Sequence, residues 1–255
     1  MSEHRGSRPG VEQARSQATE TELGAREIEL KIVNLGDPAK FLERVRALGG
    51  VLVKDRRLLH DEDFSLSRKR ERVASEAAVV SVAEVQDLEK LRRALSLLRV
   101  EVVSEGEKEW VLKRPERMKR RMVRLRNDGG QLDFTVKQLR KKDAEIDNRA
   151  EEETGLLDDK GLRQWLIGFG YKADTVREKY RTTYHIGETV VDLNEGPVAP
   201  PWAEIEGPSE EEVFRMVELL GYEKKDTAAI SDGDYYKSQG IDKARLKRMV
   251  FEEKT

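Results

Sequence analysis

At 255 residues the chain suits one elaborated domain or two small ones, and its charged fraction of 38% slightly exceeds its hydrophobic fraction of 37%, which is high in charge for a globular protein. The formal net charge is only −2, which disfavours a nucleic-acid-binding protein working through a broad positive surface, and the absence of cysteine excludes disulfides, thiolate catalysis and zinc–thiolate sites. His4, His60 and His185 match no metal-ligand spacing, no apolar run is long enough to cross a bilayer and no signal-peptide pattern is present, so a cytoplasmic protein with no membrane partner is expected.

Residues 1–25 are polar and rich in Gly, Ser and Glu, the composition of a disordered tail. Glu27-Ile28-Glu29-Leu30-Lys31 then alternates with the period of a strand: Ile28, Leu30 and Ile32 share one face, and Glu27, Glu29 and Lys31 project from the other. Ala74 to Leu98 reads as an amphipathic helix through Val79, Val82, Val85, Leu88, Leu91 and Leu95, and Trp110-Val111-Leu112 as a short strand. Lys-Arg runs such as Lys113 to Arg121 and Arg140 to Lys142 read as solvated faces. Alternation resumes in Met122-Val123-Arg124-Leu125-Arg126, and Gly129-Gly130 makes a hairpin turn into Asp133-Phe134-Thr135-Val136-Lys137. Arg149, Glu151 and Glu153 alternate next, then Arg177, Lys179 and Arg181 among strand-like Val176, Tyr180 and Tyr184. Asp192 sits in Val190-Val191-Asp192-Leu193. Pro197 to Pro201 leads to Trp202, expected in packing rather than base stacking, and Glu204 and Glu206 bracket Ile205.

One ionic face per strand also suits an open antiparallel sheet with a wet side. On such a face the signs are interchangeable, whereas here they sort by strand, acids on the first and last and bases on the third, fourth and sixth, which predicts two sub-sites. If the sheet closes with these faces inward, the lumen carries Glu27, Glu29, Glu151, Glu153, Asp192, Glu204 and Glu206 against Lys31, Arg124, Arg126, Lys137, Arg149, Arg177, Lys179 and Arg181. Dry burial of that many ions is prohibitive, so such an interior must hold water and ligand. Guanidinium forks and ammoniums suit a phosphoryl polyanion, and carboxylates beside it imply a hard divalent cation bridging to phosphate oxygens. Metal-assisted phosphate hydrolysis follows from that pairing. No P-loop or dinucleotide signature is present.

The ordered series Glu-Ile-Glu-Leu-Lys, Arg-Leu-Arg, Phe-Thr-Val-Lys, Arg-Ala-Glu-Glu-Glu, Lys179-x-Arg181-x-x-Tyr184, Val191-Asp192-Leu193 and Glu204-Ile205-Glu206 resembles the CYTH superfamily. These are the triphosphate tunnel metalloenzymes, which include class IV adenylyl cyclases, thiamine triphosphatases and inorganic triphosphatases. The resemblance runs from Glu27 to about Tyr236, with Asp234-Tyr235-Tyr236-Lys237 similar to the family's closing Ser-Tyr-Tyr segment. Its helices have counterparts in Pro38 to Gly49, Gly161 to Gly170 and Glu210 to Gly221, each ending in glycine. It implies an α+β fold: a closed antiparallel β-barrel with flanking helices, one domain over residues 26–240, a helical insertion at about 66–120 and a charged C-terminal helix or tail over 241–255. The chain departs from the pattern in Asp61-Glu62-Asp63-Phe64-Ser65, which keeps only the first acid and the phenylalanine of the family's Asp-Thr-Tyr-Phe-Asp, and in the length of the Ser65 to Arg120 interval.

The resemblance further implies that Lys31, Arg124, Arg126, Lys137, Lys179 and Arg181 grip a triphosphate. Glu204 and Glu206 would hold Mg2+, or Mn2+ in its place, with Glu27 and Glu29 completing the shell and Asp192 nearby. Lys179, Glu27 and Glu29 form the expected catalytic set, Lys179 helping to activate water, which requires a depressed pKa. The leading function is hydrolysis of a triphosphate-containing compound, inorganic triphosphate first. A class IV adenylyl cyclase and a non-catalytic polyphosphate or nucleotide sensor are the alternatives, acting on a small-molecule partner as monomer or homodimer.

Overall fold

The computed structural model describes residues 25–66, 77–83, 85–115, 121–138, 144–156, 160–242 and 245–252. The tail expected over 1–25 lies outside them up to residue 24. Eight antiparallel strands hydrogen-bond in a ring: β1 (Ala25–Ile32), β8 (Asp147–Leu156), β7 (Gln131–Gln138), β6 (Arg121–Asp128), β2 (Val51–Leu66), β9 (Tyr171–Ile186), β10 (Thr189–Glu195) and β11 (Trp202–Glu206), which returns to β1. The sheet therefore has the expected closed form, and the fold is α+β. Two long strands, β2 and β9, carry register shifts between Leu52 and Lys54, Lys54 and Arg57, and Asp63 and Phe64, the irregularities that let a sheet bend into a barrel.

Each strand turns its aliphatic face outward. On one side Leu30, Ile32, Val191, Leu193 and Ile205 pack beneath α1 (Pro38–Ala47) and α4 (Glu210–Leu219), which contribute Phe41, Val45, Val213, Met216 and Val217. Asp37 and Ser209 cap these helices by accepting from the backbone N–H of Ala39 and Glu212. The chain leaves both helices through a glycine in the left-handed region, Gly49 at φ 82° and Gly221 at φ 82°, as the sequence leads one to expect. On the other side Phe64, Val123, Leu125, Phe134 and Val136 pack against α2 (Leu88–Leu97) and α3 (Lys160–Gly168).

The insertion differs from its expected form. Ala74 to Leu98 is not one helix: β3 (Ala77–Ser81) pairs with β5 (Glu109–Lys113), which pairs with β4 (Glu101–Glu105), and only α2 is helical. Residues 67–76 and 84 lie outside the described residues. Val79, Val80 and Val82 supply the β-branched run that favours a strand, and Asp87 caps α2 by accepting from the backbone N–H of Lys90. Trp110-Val111-Leu112 is a strand as expected, within β5.

Beyond β12 (Thr227–Ala228) and α5 (Asp232–Ser238), the C-terminal segment is also no α-helix over its described residues. It makes a 3-10 turn at Arg245–Lys247 and a short strand β13 (Arg248–Met249) parallel to β9, because Leu246 and Met249 are drawn under Trp202, Tyr235 and Tyr236. No helix among the described residues is long and apolar enough to cross a membrane. Trp202→Ala is expected to cost about 3–5 kcal/mol, since the indole is fully buried between two tyrosines, while Leu219→Ser on the exposed side of α4 stays within about 0.5 kcal/mol. Urea unfolding of both variants measures the contrast.

Candidate active site: an ionic tunnel

With the aliphatic faces spent on the helices, the alternate residues of every strand point into the barrel, around a cavity of about 630 Å³. An aromatic cluster packs behind its wall. Trp202 shares its strand face with Glu204 and Glu206, and its ring lies 5.0 and 5.7 Å from those of Tyr235 and Tyr236. The indole Nε1–H donates to Glu204 Oε1 at 3.2 Å, and Lys179 Nζ stands 5.3 Å from the ring centre.

The six cations expected to grip phosphate all lie inside this barrel, and each is engaged by carboxylates. Lys31 Nζ meets Glu204 at 2.5 Å and Asp232 at 3.2 Å. Lys179 Nζ donates to Asp232 at 3.0 Å and stands 3.7 Å from Glu204. Arg181 pairs with Asp192 at 2.7 Å and with Glu204, while its Nε–H donates to Asn194 at 2.9 Å. Arg126 grips Asp61 with two bonds of 2.7 and 3.0 Å, and Arg124 donates to Asp63 at 2.9 Å. Lys137 reaches both oxygens of Glu27 at 2.8 Å and contacts Glu151.

Signs are therefore interleaved rather than sorted into two sub-sites. The register explains why: Lys31 lies opposite Glu204, Glu27 opposite Arg149, Lys137 opposite Glu151 and Asp61 opposite Arg126. Sorting along single strands becomes alternation across them once neighbours are placed. Burial works against every one of these charges, and the partners decide the balance. Arg124 and Arg126 hold the Asp61 carboxyl far below the usual range despite its burial. Burial likewise opposes charge on Glu204, which Lys179, Lys31 and Arg181 keep low, and on Asp232, which Lys179 and Lys31 keep low. Lys179 goes the other way: burial, then Arg181, lowers it to about 8, the depression its expected role requires.

Glu29 and Glu206 face each other directly across β1 and β11, an arrangement of like charges. Partial burial, then Glu27 and Glu29, pushes Glu206 up to about 7. Burial also raises Glu29, with Glu27 and Glu204 adding to it against the opposing pull of Lys31. Mutually repelling hard oxygens at one level of the barrel are the donor chemistry of a divalent cation site, so the residues fit one. Among the described residues no group of three or more such side chains is placed to hold a metal ion in this arrangement, so a cation would have to draw Glu27 or Glu204 away from its present cationic partners. Asp192 is turned to Arg181 and to the Thr183 hydroxyl, and Glu153 sits exposed at the rim, accepting from Thr135 at 2.8 Å.

Asp61, Asp63 and Asp232 belong to the site but escaped assignment from the sequence. The period-two spacing of Asp61 and Asp63 before Phe64 carried the signal for the first two. Asp232 carried none, since an acid in the first turn of a helix after Ser231 reads as ordinary capping.

No family model matches the sequence, and no curated protein matches it. Solved structures do. A putative adenylate cyclase from Vibrio parahaemolyticus superposes with a TM-score of 0.55 at 13% identity, covering 84% of this chain and 99% of its own. A Pyrococcus horikoshii protein gives 0.51 at 15% identity, over 80% of this chain and 96% of its own. A conserved hypothetical protein from Pyrococcus furiosus gives 0.51 at 14%, over 81% and 97%. The chain thus shares the closed-barrel fold of these solved structures.

Because Glu206 keeps its proton to a higher pH when folded than when unfolded, its contribution to stability is full below the ordinary glutamate range and is lost as pH rises through about 7. Glu206→Gln is expected to lose less melting temperature than the parent between pH 5 and pH 8, by roughly 1–3 °C. Parallel melting curves for the two proteins would show that the three glutamates do not crowd one another.

Proposed function

We propose that this chain is a divalent-cation-dependent hydrolase of triphosphate-containing compounds, with inorganic triphosphate as its foremost substrate. One observation carries the reading: Lys31, Arg124, Arg126, Lys137, Lys179 and Arg181, drawn from β1, β6, β7 and β9, converge on one cavity inside a closed barrel. Two buried guanidinium donors of the same wall, Arg149 Nε and Arg177 Nε, have no acceptor, and an anion with several oxygens per phosphorus would supply them.

The resting ion pairs act as placeholders. Asp232 lies between Lys31 and Lys179, where an incoming phosphoryl group would find its own partners, so binding exchanges protein carboxylate contacts for phosphate contacts without exposing a bare cation. Glu27, Glu29, Glu204 and Glu206, with Asp192 behind them, would hold Mg2+ or Mn2+. When bound, that ion supplies neutralisation of phosphoryl charge and acidification of water. Arg124 and Arg126 orient the chain of phosphates. Lys179, charged for the most part at neutral pH yet with a proton it releases near pH 8, is suited to stabilise charge at the reacting phosphoryl group and to exchange a proton there.

The Vibrio neighbour is named a putative adenylate cyclase, and cyclisation would need the same grip with a ribose hydroxyl replacing water. The wall favours the inorganic substrate, because among its described residues Met122 and Val190 are the apolar members and the rest, Ser231 apart, are charged. Incubating the purified chain with inorganic triphosphate and with ATP, each with Mg2+ or Mn2+, is expected to release orthophosphate fastest from the inorganic compound. Cyclic AMP as the main product would make it a cyclase, and tight binding without turnover a sensor.

Two substitutions separate gripping from chemistry. Arg126→Ala is expected to raise KM about tenfold or more, since it removes a bidentate guanidinium. Lys179→Arg keeps the charge but not the releasable proton, and is expected to lower kcat about 100-fold with little change in KM. Equal effects on both constants in both variants would deny the division of labour.

A further inference from the structure

One tunnel carboxylate differs from the rest in the element that carries it. Glu27, Glu29, Glu151, Asp192, Glu204 and Glu206 stand on strands whose ladder closes the barrel, whereas Asp232 is brought to the same cavity by helix α5. The helix does not use this side chain for itself. Ser231 caps α5 by accepting from the Asp234 N–H at 3.1 Å, and its hydroxyl donates to the Asp234 carboxylate at 2.8 Å. Tyr235 and Tyr236, buried against Trp202, hold the helix in place. The Asp232 carboxylate is left for the tunnel.

Its geometry there is that of a stand-in for a phosphoryl group. One oxygen faces Lys31 Nζ at 3.2 Å and the other faces Lys179 Nζ at 3.0 Å, so a single carboxylate bridges two ammoniums held by β1 and β9. Arg124, Arg177 and Arg181 stand within reach of the same charge. An anion that needs both lysines at once meets Asp232 first. Glu204 shares the two lysines, but it is fixed in the β11 ladder and bound by the Trp202 indole N–H.

We propose that Asp232 is a resident competitor, an internal counter-anion that holds Lys31 and Lys179 in the empty tunnel and must be displaced before a phosphoryl group can occupy both, so that it determines which phosphate compounds the site retains. The proposal rests on the phosphohydrolase reading above and adds to it a residue that weakens binding. Removing a gripping cation takes contacts from the ligand, whereas removing Asp232 frees two donors for it, so the two changes have opposite signs. Because α5 lies outside the ring of strands, the displacement breaks no backbone pair of the barrel. Orthophosphate must outcompete the carboxylate with few other contacts, while triphosphate does so with Arg124, Arg126, Lys137 and Arg181 behind it. The carboxylate thus sets a threshold that the longer anion clears.

Calorimetry in the presence of a chelator separates binding from turnover. The full chain and its Asp232→Asn and Asp232→Glu variants are each titrated with inorganic triphosphate and with orthophosphate. Asp232→Asn is expected to bind both about tenfold more tightly than the parent, and Asp232→Glu, which keeps the charge, to stay close to the parent. Melting temperature moves the other way. Without ligand the Asn variant is expected to melt below the parent, since Lys31 and Lys179 lose partner charge, and added phosphate is expected to restore most of the difference. A carboxylate that merely seats α5 would lower the melting temperature with no such recovery and without tightening the anion. Unchanged or weaker binding by Asp232→Asn, while the parent binds triphosphate, overturns the competitor alone. Should Asp232→Asn fail to fold in plain buffer, rescue by phosphate upholds the proposal and failure of that rescue overturns it. A parent that neither binds triphosphate nor cleaves it with Mg2+ overturns the hydrolase reading as well.

Discussion

Pairing of charge inside a closed ring of strands is the constraint on which everything else here rests. A barrel that turns its aliphatic faces outward has to cover them with helices, and α1, α4, α2 and α3 do so. What remains inside is ionic, and ions removed from bulk water are tolerated only with partners. The register supplies those partners across strands, so closing the barrel and neutralising its lumen are one event. Apolar packing outside and ionic pairing inside are thus two faces of the same hydrogen-bonded ladder.

Under the proposed function this arrangement would make the interior responsive to an anion. The carboxylates that satisfy Lys31, Lys179, Arg124 and Arg126 compete with any phosphoryl group for the same donors. A ligand therefore gains only the difference between its own contacts and those it displaces, which favours highly charged, multidentate anions over weakly charged ones. Glu29, though paired with Lys31 and Arg149, faces Glu206 across β1 and β11, and the two carboxyls are both raised.

Much of this was readable from alternation alone. Period two in Glu27 to Lys31, Met122 to Arg126 and Asp133 to Lys137 identified which side chains share a face, because side-chain direction in a strand is local. The glycine-ended helices α1 and α4 were equally legible, for capping is local too. What lay beyond reach was any property set between strands. Sorted signs became interleaved once Lys31 met Glu204 and Lys137 met Glu151. Asp232 depends on where α5 docks, which no spacing in the sequence encodes, and Val79 fits a helical period with Val82 and Val85 while its β-branched shape suits the strand it lies in.

Trp202, Tyr235 and Tyr236 pack with Leu246 and Met249 into one apolar cluster, and the Trp202 indole N–H reaches from it to Glu204. That carboxylate is thereby anchored to the packing of the C-terminal segment, so loosening Leu246 or Met249 would be felt at Lys31, Lys179 and Arg181, which share it.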